Sequence, residues 1–238
     1  MRRIFRLLGS LLVVAGILLS VWAAVVYFWQ DPFTAWYTHR EQGKLSAAYN
    51  REAGQFAVPP TSTAPRVYPR AEIGRLARRY AHSLQVGAPV GRLQIKRIGL
   101  NMVVVQGTDH ESLKKGPGHY APSGLPGAGQ LIYIAGHRTT YLAPFSHIDD
   151  IGDGDFIVFR VPYGTFTYRA FRHYVVPSTA LSVLQTHGRE ILRLQACHPR
   201  FFATHRYIVD ARLVGFRARG ATRTIDVSRI ASAAQRLP

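Results

Sequence analysis

Apolar residues follow three different rhythms along this chain. From residue 7 to residue 29 the chain is apolar without break apart from Gly and Ser. At about 1.5 Å per residue such a helix reaches roughly 34 Å, enough to cross the hydrocarbon core of a bilayer. Between 71 and 85 the apolar positions are Ile73, Leu76, Ala77, Tyr80, Ala81 and Leu84. That spacing predicts an amphipathic helix. From Gly91 to Phe216 the rhythm shortens to strand-like runs punctuated by Gly and Pro. The predicted strands are 92–98, 102–106, 130–135, 155–161, 166–176, 190–197 and 206–216. The pair around Pro162-Tyr163-Gly164 reads as a hairpin. Only 109–115 and 140–148 read as helical within this region. Seven or eight short strands with few helices predict a mostly β fold, a closed or nearly closed barrel.

The organisation that follows has five parts. Residues 1–6 form a short N-terminus carrying Arg2, Arg3 and Arg6, which keep that end in the cytoplasm if 7–29 spans the membrane. The apolar run closes on Tyr27-Phe28-Trp29, an interfacial aromatic belt rather than a small-x-small cleavage site, so an uncleaved transmembrane anchor is expected. Residues 30–90 form an extracellular juxtamembrane region. It contains Asp31-Pro32 as a helix stop, a short helix around 39–52, a Pro-rich spacer over 57–70 and the amphipathic helix. Residues 91–217 form the barrel domain. Residues 218–238 form a C-terminal extension, with 226–236 read as a short helix.

The formal net charge of +17 over 238 residues ordinarily suggests nucleic acid. An anchor that puts these charges outside the cell turns the expectation toward anionic headgroups and wall polymers, with no nucleic acid. A single cysteine excludes an internal disulfide, so the domain is stable through packing alone. A leftover thiol in an oxidising compartment is either an inert buried hydrophobe or kept for its reactivity.

The surroundings of that cysteine favour reactivity. Cys197 closes an apolar run, His198-Pro199 breaks the chain, and Arg206 opens the next run. A third run ends at Gly136-His137. Acyl transfer by a thiol needs a base or a thiolate-favouring environment, and imidazole suits that work near neutral pH. An oxyanion needs a donor, which a permanent guanidinium provides. With ten histidines in the chain, His137 is the first candidate base and His119 the second. A zinc site from Cys197, His198 and His205 lacks a recognisable ligand spacing, and no metal or cofactor is expected.

The words Gly91-Arg92-Leu93-Gln94-Ile95, Gly107-Thr108-Asp109, Lys115-Gly116-Pro117-Gly118-His119-Tyr120, Ile134-Ala135-Gly136-His137-Arg138-Thr139-Thr140, Ala143-Pro144-Phe145 and Cys197-His198-Pro199-Arg200 stand in order. With Arg206 beyond the cysteine, the chain resembles the sortase family, most of all the class E sortases of actinobacteria. The resemblance implies an eight-stranded sortase barrel and a cysteine transpeptidase. His137, Cys197 and Arg206 would be the catalytic histidine, nucleophile and oxyanion or substrate-positioning arginine. Tyr120, Thr139, Thr140 and Ala196 would be substrate-binding. Tyr120 holds a position linked in class E relatives to preference for Leu-Ala-x-Thr-Gly over Leu-Pro-x-Thr-Gly signals. The implied partners are secreted proteins with C-terminal sorting signals and an acceptor amine, from lipid II, peptidoglycan or a pilin lysine. One word departs from the pattern: where sortases usually read Thr-Leu-x-Thr-Cys, this chain has Arg193-Leu194-Gln195-Ala196-Cys197. Loss of that second threonine is expected to alter the substrate groove.

Overall fold

The computed structural model describes residues 2–28, 32–58, 70–185, 188–221 and 224–227. Helix α1 (Arg2–Phe28) is followed by α2 (Pro32–Gln55) and α3 (Arg70–Ser83). The strands are β1 (Pro89–Ile95), β2 (Leu100–Gln106), β3 (Gly118–His119), β4 (Leu131–Ala135), β5 (Phe156–Val161), β6 (Gly164–Pro177), β7 (Ile191–His198), β8 (His205–Ala218) and β9 (Ile225–Asp226). A one-turn helix, α4 (His110–Leu113), sits between β2 and β3. They lie in the order β6-β5-β1-β2-β3-β4-β7-β8, and pairing of β6 with β8 closes the ring into an eight-stranded barrel, with β9 appended to β8.

Alternation along the strands fills the barrel. Leu93, Ile95, Val104, Ile132, Ile134, Phe159, Phe166, Leu192, Leu194, Val209 and Ala211 point inward and form one core. The helix predicted over 71–85 is α3, and its Ile73, Leu76, Ala77 and Tyr80 join that core. Tyr80 meets Tyr163, in the β5–β6 turn, at 6.0 Å and donates from its hydroxyl to the Pro89 carbonyl at 3.0 Å.

The outer wall is covered in two places. α2 lies along β1 and β2, where Leu45 and Tyr49 bury Val103 and Val105. A 3-10 turn, Leu181–Leu184, in the β6–β7 connection lies over β4, where Val183 packs with Leu131, Tyr133, Ala135 and Ile208. β2 and β4 therefore lose nearly all alternation, since both faces of each are buried.

Several expectations need correction. The short helix around 39–52 is a 24-residue helix beginning at Pro32, a residue suited to a first helical position. Its buried face runs through Thr38, Leu45 and Tyr49, with Gln42 in the same stripe. Two of those four positions are polar, so hydrophobic spacing alone underestimates the helix. Residues 140–148 are turns rather than helix, followed by a 3-10 turn at Ile148–Asp150. Asp226 pairs with β8 as part of β9; Val227 is helical, and residues 228–236 of that predicted helix, like most of the Pro-rich spacer, lie outside the described residues. Two strands, β3 and β9, escaped the sequence reading because each has only two residues.

Candidate active site

Register brings three distant side chains into one row. β4 runs parallel to β7 with Ala135 opposite Gln195. The Gly136 N–H donates to the Gln195 carbonyl at 3.0 Å, so the match continues past the end of β4. Two residues further along each chain come His137 and Cys197. β8 runs antiparallel on the other side of β7, with Arg206 opposite Cys197. Direct cross-strand partners stand about 5 Å apart at Cβ. The imidazole, thiol and guanidinium thus occupy neighbouring positions on β4, β7 and β8.

Alternation decides which way they face. Leu192, Leu194 and Ala196 enter the barrel core, whereas Cys197 is half-buried and faces the outer wall. His137, Cys197 and Arg206 line one cleft of about 350 Å³ with Tyr120, Tyr133 and Leu181. Gly136 makes the turn possible: a Cβ there would stand 2.6 Å from the Phe145 ring.

Burial of the His137 imidazole lowers its pKa from the usual value, and the neighbouring His110 lowers it further. Its Nε2 is buried and has no hydrogen-bond partner among the described residues. The neutral ring is therefore favoured, ready to accept a proton. Arg206 is pinned through one nitrogen: Nη1 donates to the Ala203 carbonyl at 2.7 Å and the His205 carbonyl at 2.9 Å. Its Nε and Nη2 make no hydrogen bond among the described residues. Tyr120 stands on the cleft wall, edge-on to Tyr133 at 6.0 Å.

The remaining expectations fare differently. Ala196 is 1% exposed and packs inside the barrel; because strand neighbours face opposite ways, its side chain cannot shape the groove. Thr139 and Thr140 do not line the cleft; the Thr140 carbonyl instead accepts the Ala143 N–H at 2.8 Å in the turn after His137. His119, the second candidate base, is buried with Nδ1 2.7 Å from Gln106 Oε1 and Nε2 2.9 Å from the Gly124 carbonyl. Burial pulls its pKa down to about 4. It is a satisfied core histidine. His198 is engaged by Arg138 and His205 by Thr204, and no cluster of three or more metal-ligating side chains occurs among the described residues.

Two arginines that sequence reasoning passed over hold the site together. Arg138 is 4% exposed; Nη2 meets Asp149 Oδ2 at 2.5 Å, while Nη1 lies 2.9 Å from His198 Nδ1 and 3.4 Å from the Cys197 carbonyl. It ties the loop after His137 to the strand end that carries the thiol. Arg193 forms a two-pronged pair with buried Asp210, at 2.6 and 2.8 Å, and donates to the Val183 carbonyl at 2.6 Å. That carbonyl belongs to the 3-10 turn roofing the cleft. The only sequence signal was the place of Arg193 where the family pattern has threonine.

Comparison with known proteins gives the family. The sortase-domain family matches residues 93–214. Sortase D of Bacillus subtilis is 32% identical over 134 residues, 55% of this chain and 66% of its own length, so the chain spans just under two thirds of that relative. Among solved structures, sortase E of Streptomyces avermitilis is 31% identical with a TM-score of 0.52, covering 58% of this chain and 96% of that one. A Clostridium perfringens sortase D5 transpeptidase shares the fold at 21% identity, with a TM-score of 0.59, covering 74% of this chain and 99% of that one. The chain is thus similar to sortases D and E alike, and not to class E alone.

Proposed function

We propose, since this chain belongs to the sortase family, that it is a membrane-anchored cysteine transpeptidase with His137, Cys197 and Arg206 as its catalytic groups. The observation that carries the reading is their shared row across β4, β7 and β8, opening on one cleft. The neutral His137 imidazole takes the thiol proton as Cys197 Sγ attacks the Thr–Gly carbonyl of a sorting signal. The oxyanion that forms is met by the free N–H groups of Arg206, whose charge does not depend on pH. Collapse breaks the C–N bond, and the imidazolium returns its proton to the departing glycine amine. The thioester that remains is attacked by an acceptor amine, which restores the thiol. Residue 197 is thus regenerated with no metal or organic cofactor in the scheme.

Tyr120 in the cleft supports a class E-like preference for alanine after the leading leucine of the signal. The acceptor is an amine of lipid II or peptidoglycan, or a pilin lysine, and the donor a secreted protein with a C-terminal signal. Segment Arg2–Val25 is long and apolar enough to cross a membrane, and its leucines and valines are exposed. With residues 1–6 cytoplasmic and 91–217 outside, enzyme and substrates meet at one membrane face, which raises their effective concentration.

The test is amine dependence. Full-length protein in detergent, given a Leu-Ala-x-Thr-Gly peptide and an amine acceptor, should release the glycine fragment and form the joined product. The Leu-Pro-x-Thr-Gly peptide should turn over more slowly. Release at one rate with or without amine, and no joined product, would identify a hydrolase instead.

A further inference from the structure

The loop that carries His137 away from β4 has an uncommon backbone. Tyr141, Leu142 and Ala143 hold φ angles of 54°, 59° and 36°. None is glycine, so each Cβ opposes its conformation, at about 1 kcal/mol or more apiece. Such a run persists only where its surroundings over-determine it. Two restraints are local: the Ala143 N–H donates to the Thr140 carbonyl at 2.8 Å and the Phe145 N–H to the His137 carbonyl at 3.0 Å. The third is not. The Tyr141 N–H donates to Thr34 Oγ1 at 3.1 Å, across a separation of 107 residues.

Thr34 belongs to α2, which has more to do with this site than covering a wall. The Tyr141 ring lies 5.1 Å from the His137 ring and meets His110, on α4, edge-on at 6.4 Å. Just past α4, the Lys114 carbonyl accepts from Thr38 Oγ1 at 2.7 Å. One turn further along α2, the Gln42 amide donates to the carbonyls of Val103 and Lys115 at 2.9 and 2.8 Å and accepts the Val103 N–H at 2.8 Å. Thr34, Thr38 and Gln42 are spaced by four, on one face of the helix. That face is polar and hydrogen-bonded beside the site; it becomes apolar, with Leu45 and Tyr49, only further away. A helix serving only as a cover would not need the polar half.

We propose that α2 is a positioning element of the catalytic centre: Thr34 sets the Tyr141 backbone, and the Tyr141 ring holds His137 against the thiol. The proposal rests on His137 acting as the base. Because α2 begins four positions after the end of α1 and the Trp22 and Phe33 rings lie 5.8 Å apart, seating of the apolar helix and orientation of the imidazole share one short path. A catalytic domain cut off after α2 would lose the restraint.

The test uses full-length protein with Thr34→Val, Thr34→Ser and Tyr141→Ala. The titratable or charged groups facing His137 are His110 on α4, Cys197 on β7, Arg206 on β8, and Tyr120, Tyr133 and Tyr141. Thr34→Val should lower kcat about tenfold, as expected for a misplaced catalytic group, with KM and thermal midpoint nearly unchanged. Tyr141→Ala should lower it further, and Thr34→Ser should restore it. Proton NMR of the His137 ring gives a second readout that does not need turnover. In Thr34→Val its pKa should rise toward the usual value as the ring loosens and is hydrated. An unmoved His137 titration in both Thr34→Val and Tyr141→Ala would overturn the proposal whether or not the protein turns over. An inactive wild type whose His137 titration still responds to Thr34→Val would count against the transpeptidase reading and leave the positioning role standing.

Discussion

Two stretches of the barrel's outer wall are buried by very different covers. Over β1 and β2 lies a 24-residue helix stitched down by Thr38, Gln42, Ser46 and Tyr49. Over β4 and β7 lies a four-residue 3-10 turn, held by the Arg193 guanidinium and by packing of Val183. The first cover buries Val103 and Val105 completely. The second leaves a 350 Å³ cleft whose floor carries the thiol. On the proposed function, the reactive thiol stands where a buried strand face is incompletely covered, and an apolar substrate segment would complete the packing as it binds.

The largest expected effect breaks the weaker cover. Arg193→Met leaves the Asp210 carboxylate buried without its partner, which costs about 3–5 kcal/mol. Gln42→Ala removes hydrogen bonds from the stronger cover, where other contacts remain, and should cost about 1–3 kcal/mol. Chemical denaturation of both variants measures the contrast, and equal losses would contradict it.

His119 sits at the seam, on β3 between β2 and β4. Its pKa near 4 lies below the unfolded value of about 6.5. The unfolded chain therefore takes up a proton that the folded one refuses. Stability is complete above about pH 6.5 and declines as pH falls toward 4, by roughly 3 kcal/mol in all. His119→Gln should flatten that part of the stability–pH curve; an unchanged slope would place the titration elsewhere.

Within the cleft, Arg206→Lys keeps the charge but loses the fork that holds two carbonyls through Nη1 and, in the proposed mechanism, offers its other N–H groups to the oxyanion. A fall in kcat of about a hundredfold is expected, comparable to loss of one oxyanion donor, with thermal stability nearly unchanged. The smallest effect belongs to Ala196→Thr. Restoring the family residue adds volume to the closed barrel interior rather than the cleft, so it should cost about 1 kcal/mol of stability and leave signal preference as it was. A changed preference would mean that position 196 does reach the substrate.

The same contrast explains what the sequence discloses. Strands β5 to β8 are legible because one face of each is apolar and turns punctuate them. α2 is under-read because its inward face includes Thr38 and Gln42, whose burial depends on hydrogen bonds to a barrel not yet formed. The chemistry of Cys197, His137 and Arg206 is legible one residue type at a time. That they stand in one row is a property of parallel β4–β7 register, which no local pattern encodes. Ala196 was misassigned for the complementary reason: adjacency to Cys197 in sequence means the opposite face in a strand. Arg138 and Arg193 act through partners from distant segments, so their place beside the site emerges only in the folded barrel.

The central claim is that the outward-facing sulfur of Cys197 carries the acyl group. Full-length protein incubated with a Leu-Ala-x-Thr-Gly peptide and no added amine, quenched in acid and digested, should yield the Cys197 peptide heavier by the acyl fragment, and His137→Ala should suppress that adduct. Cleavage of the signal with an unmodified Cys197 peptide, undiminished in Cys197→Ala, would contradict the account.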